Sequence, residues 1–283
     1  MSKSRTILIT GANSGIGESV TLSAAKNGHQ LVLLCRNKIK GDKLISKIMN
    51  EYPNAVVELH IVNLSLQNEI TAWIEEFNKQ ERYIDVLVNN AGFLGESIHT
   101  LTEEQIELTI ATNYFSQFML SVLLINQLRN STNPQIINVG SAMYKYGNYD
   151  LSKINDPANY KPLLKYADSK KMVTMFTGIL SQKLKKEGIR VNCVDPGTVN
   201  TNIAHSYGKA FQYLYRIASP FMRNTQKGAE TINFLIGNEH NLSGKLLKDK
   251  KVVLDIINNY SINDLEDLWL WSHEVAKTDH IIQ

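Results

Sequence analysis

Arg5-Thr-Ile-Leu-Ile-Thr-Gly-Ala-Asn-Ser-Gly-Ile-Gly17 is the stretch on which the reading of this chain turns. Thr6 to Ile9 is a short apolar run rich in β-branched residues, suited to a strand. It runs into Gly11, Gly15 and Gly17, and a helix-like segment follows. Glycine removes the side chains that would keep backbone N–H groups away from a pyrophosphate, and the start of a helix adds partial positive charge. A strand ending in glycines that open a helix is therefore a cradle for a dinucleotide, with Gly11, Asn13, Ser14, Gly15, Ile16 and Gly17 as its expected contacts. Three glycines alone also suit an ordinary tight strand-to-helix turn. The ends of the later strands must decide.

Outward from this stretch, strands and helices alternate. Gly15 to Asn27 reads as a helix with Gly28 beyond its end, Gln30 to Cys35 as a strand, and Lys38 to Glu51 as a helix. Val56 to Val62 is a strand, Gln67 to Gln80 a helix, and Ile84 to Val88 a strand. Thr102 reads as the N-cap of a long helix ending at Leu128, apolar nearly all round from Tyr114 onward. Gln135 to Val139 is a strand, followed by a loop from Met143 to Pro162. Leu163 to Glu187 is a helix and Ile189 to Val194 a strand. An aromatic-rich insert covers Asn202 to Met222. Then come a helix from Thr225 to Ile236, a short strand from Lys245 to Leu247 and a helix from Ile262 to Ala276. The expected fold is α/β: a Rossmann-type, doubly wound parallel sheet of about seven strands with helices on both faces. All 283 residues form one domain, with a lid over about 200–224 and a helical tail over about 258–283.

Composition narrows the function classes. A net charge of +3 with no basic run argues against nucleic acid. Cys35 and Cys193 each lie in an apolar strand, as buried reduced thiols do. The seven histidines show no metal-ligand spacing. The longest apolar run, Phe118 to Ile125, is too short to cross a bilayer. With the first strand starting at Thr6, no signal peptide is expected. A cytoplasmic protein follows as the expectation, with peripheral membrane contact left open.

In doubly wound sheets ligands bind at the carboxyl ends of the strands. The second strand ends at Arg36, whose guanidinium suits a ribose 2′-phosphate, where a carboxylate would suit a free ribose. NADP(H) is therefore expected over NAD(H). The third strand ends at Asn63-Leu64, the fourth at Asn89-Asn90-Ala91-Gly92 and the fifth at Ser141. Tyr166 and Lys170 in Tyr166-Ala-Asp-Ser-Lys170 are one helical turn apart and face the same way. An ammonium beside a phenol favours phenolate and makes the tyrosine useful as an acid or base near neutral pH.

Together, the glycine pattern Thr10-Gly11-x-x-x-Gly15-Ile16-Gly17, Asn89-Asn90-Ala91-Gly92, Asn113, Ser141 and Tyr166-x-x-x-Lys170 resemble the short-chain dehydrogenase/reductase family. The resemblance spans Arg5 to about Val253. It is nearest to the retinol-dehydrogenase-like branch, through Cys35-Arg36, the long loop at 143–162 and Ser243-Gly244-Lys245. It implies an oxidoreductase acting on CH–OH groups. Tyr166 would exchange the proton of the substrate hydroxyl, and Ser141 would bond the carbonyl oxygen. Lys170 would hold the nicotinamide ribose and lower the pKa of Tyr166, and Asn113 would hold a water relaying protons to Lys170. Asn63, where the family usually has Asp, would meet the adenine amino group through its amide oxygen. Asn90, Ala91 and Gly92 would pass close to the adenosine ribose. Pro196, Gly197, Val199 and Thr201 would grip the carboxamide.

Gly140 departs from the family, which often has a serine there, and the interval from Ser141 to Tyr166 is long. Members of the branch often carry an N-terminal membrane anchor, which is not expected here.

Tyr144, Tyr146, Tyr149 and Tyr160, with Tyr207, Phe211, Tyr213, Leu214, Phe221 and Met222, suit either an apolar pocket or plain lid packing. The expected substrate is a lipophilic aldehyde, ketone or alcohol of retinoid, steroid or fatty type. A non-catalytic NADP(H)-binding sensor or scaffold is the alternative. The apolar helix at 114–128 and the Met172, Met175, Phe176 and Ile179 group suit pairing with a second copy. The resemblance implies such a homodimer through a four-helix bundle.

Overall fold

The computed structural model describes residues 4–80, 82–200 and 222–278. Its sheet has eight strands: β1 (Thr6–Thr10), β2 (Gln30–Cys35), β3 (Val57–Ile61), β4 (Val86–Asn89), β5 (Gln135–Val139), β6 (Arg190–Val194), β7 (Lys245–Lys248) and β8 (Lys251–Asp255). Their order is β3-β2-β1-β4-β5-β6-β7-β8. Every pairing is parallel except that of β7 with β8. The central strands are apolar at successive positions because both faces are covered. Leu8 points into one core with Leu87, Ile136 and Val191, while Ile7 and Ile9 point into the other with Val86, Val88 and Ile137.

On the second of these faces lie α1 (Gly15–Lys26) and α2 (Lys38–Glu51), joined late in the chain by Ala229, Ile232 and Leu235 of Thr225–Gly237. On the other lie α3 (Gln67–Asn78), a broken helix over 108–129 and the 22-residue helix Pro162–Lys183. The order 3-2-1-4 places the reversal of winding between β1 and β4, so their carboxyl ends open the crevice. The glycine stretch and Asn89-Asn90-Ala91-Gly92 are those two ends.

Two expectations change. First, Thr102 does not cap the long helix. Gln105 sits at φ +61, a left-handed conformation that ends any helical path, and Thr102 to Ile106 is a tight turn closed by Thr102 N–H to the Ile106 carbonyl. The helix starts at α4 (Leu108–Ile110), capped by the buried Glu107 carboxylate, which accepts from the Ile110 N–H at 2.9 Å. It continues as a π-helical turn over Ala111–Phe115, then α5 (Ser116–Leu123) and α6 (Ile125–Arg129).

The helices that follow in the chain are α7 (Pro162–Lys183), α8 (Thr225–Gly237), α9 (Ile256–Asn259) and α10 (Ile262–Ala276). Leu265, Leu268 and Trp269 of α10 are buried in the core of the sheet's first face. Second, β8 is an additional strand. Asp249 at φ +50 and Lys250 at φ +64 make the two-residue turn, a conformation usually announced by glycine or asparagine. The apolar groups offered to a second subunit are buried: Phe118 and Phe176 have no exposed surface, and α10 lies over them.

Phe118 contacts the rings of Tyr114, Phe115, Phe176, Trp269 and His273. Phe118→Ala should cost about 3–5 kcal/mol of folding free energy. Urea denaturation followed by circular dichroism measures it.

Candidate active site

The cleft is built from strand ends. Gly11 at φ +61 and Gly15 at φ +56 take conformations that side chains resist. A Cβ on Gly17 would lie 2.2 Å from the Gly11 carbonyl oxygen and 2.5 Å from Asn90 Nδ2, so the turn closes on itself only with glycine there. Ser14 stands at the N-cap of α1 but makes no side-chain bond to its first turn, which leaves that turn to an anion.

Asn90 fastens this loop to β4. Its Nδ2 donates to the Thr10 carbonyl at 2.9 Å and to the Gly11 carbonyl at 3.3 Å. The Thr10 hydroxyl accepts from the N–H groups of Asn90 and Ala91, both at 2.9 Å. Asn90 thus shapes the cradle with its amide, while Ala91 and Gly92 line it with backbone.

Arg36 is exposed at the end of β2, and its guanidinium bonds to no described residue. Asn13 Nδ2 reaches the Asn37 carbonyl beside it, and Asn37 caps α2 through the Lys40 N–H. Asn63 is placed at the third strand end, before the buried Leu64, but its Oδ1 accepts from both the N–H and the hydroxyl of Ser65, at 3.3 and 2.9 Å. The amide oxygen expected to meet an adenine is spent within the turn. These features fit a dinucleotide: a glycine-lined anion cradle with a guanidinium one strand away that pairs with no described residue.

Tyr166 and Lys170 share one face of α7. Lys170 Nζ lies 5.6 Å from the centre of the Tyr166 ring and donates to the Val139 carbonyl at 2.8 Å. That bond sets the ammonium two residues before Ser141. Lys170 is only 4% exposed and Tyr166 8% exposed. Burial removes water from the ammonium and pulls its pKa down to about 8. The position a Cβ on Gly92 would take is 3.6 Å from Lys170 Nζ, so Gly92 keeps open the space between this group and the cradle. Ser141 ends β5 and caps a 3-10 turn over Ala142–Tyr146, accepting from the Met143 N–H at 3.2 Å.

Asn113 is fully buried in the π turn. Its Oδ1 accepts from the Phe93 N–H, and its Nδ2 donates to the Phe93 carbonyl and to the Ser169 hydroxyl. Ser169 in turn donates to the Tyr166 carbonyl at 2.7 Å. The Asn113 side chain therefore ties the loop after β4 to the helix turn carrying Tyr166. Sequence reading missed Ser169. Its signal was its place between Tyr166 and Lys170 on the same turn.

The missing side chain at Gly140 also has a cause. A Cβ there would lie 2.5 Å from the sulfur of Cys193 on β6. Cys193 is fully buried, and burial pushes its thiol up to about 12, so it fills space and stays unreactive.

Pro196, Gly197 and Val199 follow β6. Gly197 sits at φ +76 against the Arg223 guanidinium, which pairs with Asp249. Val199 lies within reach of Ile16 beside Gly228, joining this stretch to the start of α1. Thr201, with Tyr207, Phe211, Tyr213, Leu214 and Phe221 and most of the expected lid, falls outside the described residues. In the other loop Tyr149 donates to the Asp264 carbonyl and Tyr160 to the Glu96 carbonyl, so both are held as packing groups. Three residues of α7 staple this loop: Lys165 to the Ile154 carbonyl, Asp168 to the Asn148 N–H and Lys171 to the Gly147 carbonyl.

A doubly wound sheet with an anion cradle at its crevice, and a tyrosine–lysine pair beside it, defines a nucleotide-dependent oxidoreductase. The chain belongs to the short chain dehydrogenase family, which matches residues 5–211. Retinol dehydrogenase 12 of Bos taurus is 30% identical over 250 residues, covering 87% of this chain and 78% of that protein. A solved protein of Mycobacterium paratuberculosis superposes with a TM-score of 0.77 at 23% identity, over 97% of this chain and 94% of that one. A short chain dehydrogenase of Shigella flexneri, solved with NADP, superposes with a TM-score of 0.68 at 21% identity, over 87% and 97%. The chain is an NAD(P)-dependent oxidoreductase of this family.

Gly140→Ser drives a side chain into Cys193, and such overpacking should cost about 1–3 kcal/mol and lower turnover. Cys193→Ala in the same chain should restore most of both, measured by denaturation midpoint and kcat. Lys170 carries its charge below its lowered pKa and loses it above. Reductive kcat/KM should therefore be level below about pH 8 and fall above it. Lys170→Arg, charged throughout, should show no break there.

Proposed function

We propose that this chain interconverts a lipophilic carbonyl compound and its alcohol, using NADP(H). The observation that carries the reading is the buried Lys170 ammonium between Tyr166, Val139 and Gly92, held without an opposing carboxylate among the described residues. Such a charge favours a partner that gains negative charge during reaction. The bound dihydronicotinamide supplies the hydride. In reduction the Tyr166 hydroxyl gives its proton to the carbonyl oxygen as negative charge grows there, and Lys170 steadies the phenolate that remains. The Ser141 hydroxyl donates to the same oxygen. Asn113, through Ser169, keeps Tyr166 at its height above the strand ends. In alcohol oxidation each transfer runs backward.

Preference for the 2′-phosphate rests on Arg36, exposed beside the cradle and without an ion-pair partner among the described residues. The lipophilic substrate class is supported by the likeness to retinol dehydrogenase 12 and by exposed apolar side chains near the start of α7. Ile98 is 73% exposed and Tyr146 70%, with Leu163 and Leu164 close to half exposed.

Loss of NADPH absorbance with a carbonyl panel tests this. Retinoid, steroid or long-chain aldehydes should turn over, and small polar carbonyls should not. NADPH binding with no turnover on any of them would favour a sensor. Arg36→Asp removes one charge-assisted contact, a loss of about tenfold to a hundredfold in NADPH affinity. Titration of NADPH fluorescence measures it, and unchanged affinity refutes the role given to Arg36.

A further inference from the structure

The helix face expected to meet a second subunit is already occupied. The inward side of α10 presents Leu265, Leu268, Trp269, Ser272 and His273, all buried. Trp269 stacks on Phe176 with ring centres 6.4 Å apart and planes 12° apart. It meets Phe118 edge-on at 5.8 Å. Lys183 Nζ lies 5.0 Å over the Trp269 ring and pairs with Glu266 at 3.4 Å. The Tyr114 and Ser272 hydroxyls hydrogen-bond with each other, and Trp271 lies 5.2 Å from Phe115. Phe118 and Phe176 have no exposed surface beneath this cover.

A stable contact between subunits needs roughly 800 Å² of matching surface from each partner. The outer side of α10 is poorly suited to supply it. Asp264, Asp267 and Glu274 are exposed there, and Ile262 and Leu270 are the large apolar side chains of the helix that are more than half exposed. A two-fold contact would set this acidic side against its own copy.

We propose that α10 fills, within one chain, the place a second subunit would take on the α5–α7 face, so that this face forms no subunit contact. The pairing anticipated from the apolar helix at 114–128 is satisfied internally. Nothing in this depends on the substrate, so mass and exchange measurements test it apart from the enzymatic reading.

Sedimentation velocity of the full chain across micromolar concentrations should give one species at the 32.0 kDa of a single chain. Trp269→Glu places a charge in the seal and should release α10, so that the uncovered aromatic face associates into larger species. NADPH affinity should hold, because the cradle lies at the strand ends while α10 packs through Trp269 on Phe118 and Phe176. A wild-type dimer that Trp269→Glu splits into single chains overturns the proposal, since α10 would then belong to a subunit contact. A Trp269→Glu chain that stays single and as heat-stable as wild type also overturns it. Should that variant fail to fold, hydrogen exchange of the wild type decides. Protection of 265–273 should be independent of protein concentration, and protection lost on dilution would assign the cover to a second copy.

Discussion

An ammonium held out of water is the constraint around which this site is built. Lys170 has a single hydrogen-bond partner among the described residues, the Val139 carbonyl, and a phenol ring beside it. Burying such a charge without a counter-ion is unfavourable, which is why its proton is held less tightly than in water. The fold meets that strain by rigidity. The Thr174 hydroxyl bonds back to the Lys170 carbonyl, Ser169 fastens the same turn to Asn113, and Cys193 closes the space behind. A group that accepts negative charge in front of Lys170 relieves the penalty. The folded chain therefore favours an electron-rich group beside the ammonium, and the Tyr166 ring is the neighbour that stands there.

The sheet and the positions of the candidate site were legible in the sequence for different reasons. Strand ends carry special residues because a parallel sheet delivers all of them to one edge, so Gly11, Arg36, Asn63, Gly92, Ser141 and Gly197 could be read from their places after apolar runs. Tyr166 and Lys170 needed only the period of a helix. What escaped were conditions set by particular contacts and backbone angles, some distant in sequence and some local. Gly140 looks like a defect until Cys193 is seen filling its place, 53 residues on. Asn63 looks available until Ser65 is found holding its oxygen. The turn at Asp249-Lys250 uses left-handed backbone without the residues that usually announce it.

The broken helix shows how local irregularity serves the site. Gln105 at φ +61 stops an otherwise helical run, and the buried Glu107 carboxylate restarts it. One turn later the chain widens into a π turn, with Ser116 N–H reaching the Ala111 carbonyl. Such turns add a residue to the helix and shift the side chains after it. Asn113 sits within that turn. Its amide faces Phe93 and Ser169, while the adjacent Tyr114 faces α10, where its hydroxyl meets Ser272. Two neighbouring residues thus look in opposite senses, one toward the strand ends and one toward the outer layer.

That division joins the outer layer to the elements that carry the candidate site. α10 grips Tyr114 on one side and, through the Asp264 carbonyl, Tyr149 of the loop that follows Ser141 on the other. The same loop is stapled to α7 by Lys165, Asp168 and Lys171, which flank Tyr166, Ser169 and Lys170 in sequence. One surface of α7 therefore carries the candidate pair Tyr166 and Lys170 while adjacent positions anchor the loop around them. In a larger assembly a neighbouring subunit can brace these helices. Here the brace is covalently attached, and Trp269 wedged against Phe118 and Phe176 is the contact through which it acts.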